Sequence, residues 1–306
     1  MEAKSLKINL HSEISPPIWE RQREVYLKVG GEECVLVDYT PVRRSIFSKS
    51  EIDVYFGWSG SDRILRRGSR GSTTVFIAPE PPEIQSYSEK FLSKFDLVLG
   101  PEFLTGKNVI QNSPFLPWHV GIDFTTSRGS INLGAEELLA VEPKNNELIS
   151  IIVSNKENTK DQVRRAQVAR LLKESFPENV LLYGRGLNPI RDKWEALQQS
   201  SFHVAMENSR HQDYWTEKLA DGVLALNHVL YYGSPNIPFS PESTTHIDIY
   251  DEAEKIVEKM ENALNRYFEI SEQTRRDELV KNRDRLVLEH SLHSFFNSSS
   301  FLELIK

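Results

Sequence analysis

Along the first hundred residues the hydrophobic positions fall in short runs parted by polar turns: LKINL, CVLVDY, DVYFGW, TTVFIAP and FDLVLG. Runs of this length, rich in β-branched and aromatic residues, predict strands. Before the last of them Ile84, Tyr87, Phe91 and Phe95 recur at helical spacing and predict a helix. Residues 112–144 then turn rich in Pro, Gly, Ser and Asn, in NSPFLPWHVG, TTSRGS and VEPKNN. A domain boundary is expected at 143–147, where turn-rich sequence gives way to periodic sequence. The expected division is residues 1–145, residues 146–290 and a tail, 291–306, that returns to the first domain.

After that boundary strand and helix patterns alternate regularly. LISIIVSN, NVLLYGRG, FHVAMEN and HVLYYGSP read as strands, and DQVRRAQVARLLKESF, KWEALQQSS and TEKLADGVLALN as helices. On the first of these helices Val163, Ala166, Leu171 and Leu172 are expected to face inward. Residues 256–288 read as one strongly charged helical stretch that covers the domain. Strands apolar on both faces, joined by helical crossovers, predict an α/β fold with a doubly wound parallel sheet. Ligands of such sheets collect at the carboxyl ends of the strands. That rule selects SNK at 154–156, YGRG at 183–186, EN at 207–208 and YGSP at 232–235 as one rim.

Composition narrows the partners. A hydrophobic content of 39% and a charged content of 26% are those of a soluble globular protein. A net charge of -7 argues against a surface built for nucleic acid, so any phosphate binding must be local. The lone cysteine, Cys34, sits at the head of an apolar run and reads as a small core side chain, a poor candidate for a nucleophile. No uninterrupted run of about 18 apolar residues is present, and the cytoplasm is the expected compartment.

The rim carries chemistry that its residue types explain. A lysine in the first turn of a helix stands on the wrong side of the helix dipole, which makes Lys218 favourable only beside something negative. A phosphate fits, because a helix start has unpaired N–H groups to offer it. Arg185, between two glycines after another strand, can supply a second cation. The carboxylate of Glu217 suits vicinal ribose or sugar hydroxyls, and Glu207 and Asn208 end the strand that leads to it. A solvated helix cap and a tight YGRG turn would leave the same residues without a ligand. Their convergence on one rim favours a nucleotide diphosphate.

The stretch FHVAMENSRHQDYWTEKLADGVLALNHVLYYGSP resembles the donor-site pattern of the family 10 glycosyltransferases, the α1,3/α1,4-fucosyltransferases, with EN, DY, TEK and GSP in order and spacing. The resemblance takes in SNK, YGRG and HIDIYD at 246–251 and covers most of residues 148–265. It implies a GT-B architecture, two Rossmann-like domains facing each other across a cleft, with the donor in the C-terminal domain and the acceptor held mainly by the N-terminal one. By this likeness Lys218 and Arg185 would neutralise the pyrophosphate of a GDP-sugar, and Glu217 would bind ribose or the donor sugar. Tyr214 and Asn208 would line the same pocket, with Glu207, Ser154 and Lys156 on its rim. No Asp-x-Asp triplet is present, so no metal or other cofactor is expected, and two cations with a helix end would stabilise the departing GDP.

An inverting transfer also needs a carboxylate to take the acceptor's proton. The family places it in a G-E-x-E-S-P-like segment after a strand, and TTVFIAPEPPEI occupies that place. Only one Glu precedes the paired prolines, so Glu80 is the first candidate and Glu83 the second. The strand before GSP lacks the family's usual proline, and Trp215 fills a slot often β-branched. For the acceptor, a surface glycan or oligosaccharide, Arg66, Arg67 and Arg70 read as contacts to an acidic glycan or as an exposed basic loop with no role, and Trp58, Trp118 and His119 as sugar-stacking faces or as packing residues. Peripheral contact with a membrane-borne glycolipid is compatible with this reading. The alternatives are a relative that takes another nucleotide sugar and a non-catalytic nucleotide-sugar or glycan-binding protein.

Overall fold

The computed structural model describes residues 6–41, 51–57, 71–112, 115–125 and 129–305. Trp58, Arg66, Arg67 and Arg70 lie outside the described residues. The chain forms two compact units. The first comprises Met1–Pro117, His211–Tyr214 and Val287–Lys306, and the second Trp118–Arg210 and Trp215–Leu286.

The first unit runs β1 (Leu6–Ser12), α1 (Pro16–Lys28), β2 (Val35–Pro41), β3 (Ile52–Phe56), β4 (Thr73–Ile77), α2 (Glu89–Leu92), β5 (Leu97–Gly100) and β6 (Val109–Gln111). The six strands make one sheet in the order β2-β1-β3-β4-β5-β6, parallel throughout. Register places Ile8 between Val37 and Ile52, so branched side chains stack in rows across the sheet. Trp19 of α1 packs on one face with Val54, Val75 and Ile77. On the other face Phe76 meets Tyr87, Phe91 and Phe95.

The helix expected around residues 84–95 contracts to the four residues of α2, capped by Ser88, and Ile84 is exposed. The aromatic spacing there serves one partner ring, Phe76, rather than a long helix. Helix α1 carries no clear apolar stripe because Arg21 and Gln22 share its buried face. Prolines in its first turn, where no N–H bond is lost, start it. Cys34 is exposed and precedes β2, and its backbone N–H is bonded to Asn297 Oδ1 (2.6 Å), which corrects its expected core position.

The second unit opens with β7 (Ile122–Asp123), β8 (Ser130–Ile131) and α3 (Ala135–Leu139). It continues through β9 (Ile149–Ile152), α4 (Lys160–Ser175), β10 (Val180–Tyr183), α5 (Trp194–Leu197), β11 (Phe202–Met206), α6 (Glu217–Leu224), β12 (His228–Tyr232) and β13 (Thr244–His246). Its parallel sheet has the order β10-β9-β11-β12-β13. Strand order reverses between β9 and β11, which makes their carboxyl ends the switch-point crevice where such sheets bind ligands.

The long C-terminal stretch is two helices, α7 (Ala253–Glu269) and α8 (Glu272–His290), broken where Ile270 turns extended. Two short helices follow, α9 (Leu292–Phe296) and α10 (Ser299–Leu304), and their Phe295, Phe296 and Phe301 complete the core of the first unit. In α4 the inward face is Gln162, Arg165, Val168, Ala169 and Leu172, and Val163 is exposed. Of the expected face Leu172 is buried and Leu171 packs on the core, whereas Val163 is exposed and two polar residues, Gln162 and Arg165, sit inside.

Burial lowers the pKa of three histidines to about 4: His203, bonded to Ser150, His228, bonded to Glu242 O and Thr245, and His293, bonded to Trp19 O. Their folded pKa lies below the ordinary 6.5, so between those values the unfolded chain binds more protons. Stability is therefore full above pH 6.5 and falls as acid is added toward pH 4. Each histidine should contribute roughly 1–2 kcal/mol of loss by pH 5. Urea midpoints at pH 7 and pH 5 check this, with the lower midpoint expected at pH 5.

Candidate functional site

The rim of the second sheet is organised by a carboxylate at the end of β11. Glu207 is 0% exposed, and its N–H continues the ladder to Tyr232 O at 2.8 Å. A buried carboxylate is tolerated only with donors around it. Thr216 supplies two, its N–H at 2.8 Å and its hydroxyl at 2.7 Å. Thr216 also caps α6, its Oγ1 accepting the Lys218 N–H at 3.3 Å. Strand end, cap and helix start are thus tied to one side chain. A Cβ on Gly233 would collide with the Tyr231 hydroxyl and stand 2.6 Å from the Glu207 Cγ, which explains the glycine of YGSP.

Lys218 begins the next layer. Its Nζ lies 3.1 Å from Thr216 Oγ1, 3.2 Å from Glu217 Oε1 and 3.4 Å from Glu207 Oε2. Burial alone would lower its pKa, but Glu217 and Glu207 outweigh that and raise it. Burial pushes Glu217 up, while Lys218 and Lys193 overcome it and hold the carboxyl well below its ordinary value. For Glu207 burial wins over Lys218, and the pKa is raised.

One helical turn on, Asp221 does a different job. Its Oδ1 accepts the backbone N–H groups of His119 (2.8 Å) and Val120 (3.0 Å), and its Oδ2 accepts from Lys193 Nζ at 2.6 Å. Lys193 also reaches Glu217 Oε1 at 3.5 Å. Asp192 accepts the N–H groups of Gly121 (2.8 Å) and Trp194 (2.9 Å). Two buried aspartates thereby fasten residues 119–121 to the second unit, and the contact boundary falls at 117/118 instead of near 145. Trp118 is buried as a packing residue rather than presented as a sugar platform.

Beside this network a cavity of about 700 Å³ opens over the carboxyl ends of β9 and β10. Lys156, Arg185, Arg191 and Lys193 line it with Ser154 and His119, a local positive site in a chain of net charge -7. Its apolar lining includes Ile122, Phe124 and Ile190. Gly184, at φ 134°, makes the turn out of β10 where any side chain would collide with the Val153 carbonyl. Burial lowers the pKa of His119, although Glu217 pulls the other way.

The structure therefore gathers Ser154, Lys156 and Arg185 on the cavity, gathers Glu207, Glu217 and Lys218 at the start of α6, and links the groups through Lys193. Asn208 Oδ1 accepts from Arg165 Nη1 at 2.8 Å, and the same nitrogen donates to Met206 O at 2.9 Å. Arg165 is thus the guanidinium beside Asn208, and this is why a polar residue lies on the inner face of α4. Tyr214 is buried and belongs to the first unit, with ring centroids 6.3 Å from Phe103 and 6.4 Å from His211.

The two expected bases also belong to the first unit. Glu80 follows the carboxyl end of β4 and is half-buried, and Glu83 is exposed with its carboxylate 3.2 Å from His211 Nε2. Among the described residues no cluster of three or more His, Cys, Asp or Glu is placed to hold a metal ion, and no helix is long and apolar enough to cross a membrane. The sequence reading missed Arg165, Lys193, Thr216 and Asp221. The N-cap rule applied to TEK identifies Thr216. The other three are single charges within helical patterns and carry no local mark of their partners.

Comparison with known proteins bears on the family and the fold. Residues 142–290 match the model of Glycosyltransferase family 10 (fucosyltransferase) C-term. A fucosyltransferase-like protein of Arabidopsis thaliana is 36% identical over 72 residues, a match that spans 22% of this chain and only 14% of the relative. Crystal structures of an α1,3-fucosyltransferase superpose with a TM-score of 0.53 at 16% identity, over 96% of this chain and 93% of that one. Its complex with GDP-fucose gives 0.52. TarM, at 12% identity, gives 0.51 over 83% of this chain and 54% of its own. At these identities the likeness shows the fold, GT-B.

Replacing Asp221 by Ala should leave the Lys193 ammonium and two backbone N–H groups without their acceptor. The expected loss is about 3–5 kcal/mol of unfolding free energy, against a smaller loss for Asp221→Asn, read from denaturant midpoints.

Proposed function

We propose that this member of glycosyltransferase family 10 moves L-fucose from GDP-fucose to a hydroxyl of a glycan or oligosaccharide, with inversion at the anomeric carbon. The observation that carries the reading is the Lys218 ammonium in the first turn of α6, fixed by Thr216, Glu207 and Glu217. Negative charge gathers on the diphosphate as the sugar leaves. Cations placed beforehand at a helix start stabilise that charge without reorganising.

Glu207, Glu217 and Asp221 surround Lys193 and Lys218, so the two ammonium groups are held in position before a phosphate arrives. Glu217 then has its low pKa to keep it ionised and able to accept from donor hydroxyls. Arg165 orients Asn208 from beneath.

In the transfer the acceptor oxygen attacks the anomeric carbon, the bond to GDP breaks, and the acceptor's proton passes to a carboxylate. We take Glu80 for that role. Glu80 stands three residues beyond the carboxyl end of β4, where ligands of a parallel sheet collect. The nucleotide sugar and the glycan are the partners of this reading. A glycan carried on a lipid would need only peripheral contact.

Lys218→Ala should weaken GDP binding at least ten-fold, the loss of one charge-assisted bond, measured by calorimetry without added metal. Unchanged affinity would remove Lys218 from the donor site. Glu80→Gln should lower the transfer rate by about a hundred-fold or more while GDP affinity stays the same, and Glu83→Gln should retain activity.

A further inference from the structure

Phe124 sits on the cavity over β9 and β10 with 47% of its surface exposed, and phosphate-binding cations alone give it no role. Its position is fixed. It follows β7, which pairs with β8, and the turn after it is closed by Asp123 Oδ1, which accepts Thr125 N–H at 2.7 Å. Its ring lies 4.6 Å from the His119 ring, whose backbone N–H is held by Asp221. An aromatic ring kept open to water and braced from one side is suited to receive a flat partner on the other.

The lining of the cavity states what that partner should look like. Lys156, Arg185, Arg191 and Lys193 ask for a polyanion, while Phe124 with Ile190 asks for an apolar face in the same molecule. A nucleoside diphosphate has both parts, whereas an inorganic polyphosphate or an acidic saccharide lacks the flat aromatic one. On the donor reading given above, we propose that Phe124 is the stacking platform for the nucleobase of the sugar nucleotide. Phe124 precedes the residues matched by the family model, 142–290, so the match assigns it nothing.

Calorimetry of GDP and of inorganic pyrophosphate, on the wild-type protein and on Phe124→Ala and Phe124→Trp, tests this. Phe124→Ala should weaken GDP about ten-fold, in line with the loss of one base–aromatic stack, and leave pyrophosphate within two-fold. Phe124→Trp should retain GDP affinity. If Phe124→Ala weakens both ligands equally, or neither while the wild type binds GDP, the stacking role is overturned and the donor site stands. If the wild type binds neither ligand, the donor reading falls and the stacking role with it.

Discussion

Charge compensation around the first turn of an eight-residue helix is the constraint on which the site depends. Three carboxylates, Glu207, Glu217 and Asp221, share two ammonium groups, Lys193 and Lys218, at distances from 2.6 to 3.5 Å. Each charge is tolerable because the others are present. Removing either ammonium group leaves buried carboxylates without their counter-ion, a cost of several kcal/mol by order of magnitude. The cluster therefore behaves as one unit, and its members cannot be assigned separate roles by deletion alone.

That cluster also explains the architecture around it. Glu207 fastens β11 to α6 through Thr216, and Asp221 fastens α6 to residues 119 and 120. Arg165 draws α4 onto the end of β11. The elements that flank the switch point between β9 and β11 are held by polar contacts rather than by apolar packing alone. A rim built this way keeps donors and cations oriented, which is what stabilisation of a developing charge would require. The cavity of cations and the start of α6 meet at Lys193, so a ligand spanning both would engage the cluster from outside.

Much of this was legible in the sequence. The strand and helix patterns from residue 148 onward yielded the parallel sheet, because doubly buried strands are apolar along their whole length. The carboxyl-end rule then selected Ser154, Lys156, Arg185, Glu207 and Asn208, and the helix dipole added Lys218. What escaped has a physical explanation in each case. Arg165 breaks an apolar stripe to reach Asn208, so periodicity pointed to Val163 on the wrong face. Lys193 and Asp221 meet across 28 residues of sequence, and no local pattern encodes such a pair. The turn-rich segment from 118 onward looked like the end of the first unit, since its attachment to the second rests on side chains of Asp192 and Asp221 that lie far along the chain. Tyr214 stands in the middle of the matching stretch, yet residues 211–214 pack with the first unit.

A crystal structure of the protein with GDP-fucose bound is the measurement closest to the central claim, that this rim holds a sugar nucleotide. The account predicts diphosphate oxygens within hydrogen-bond reach of Lys218 Nζ, with the rest of the nucleotide in the cavity that Lys193 borders. A nucleotide found away from both, with the Lys193 and Lys218 pairs undisturbed, would contradict it.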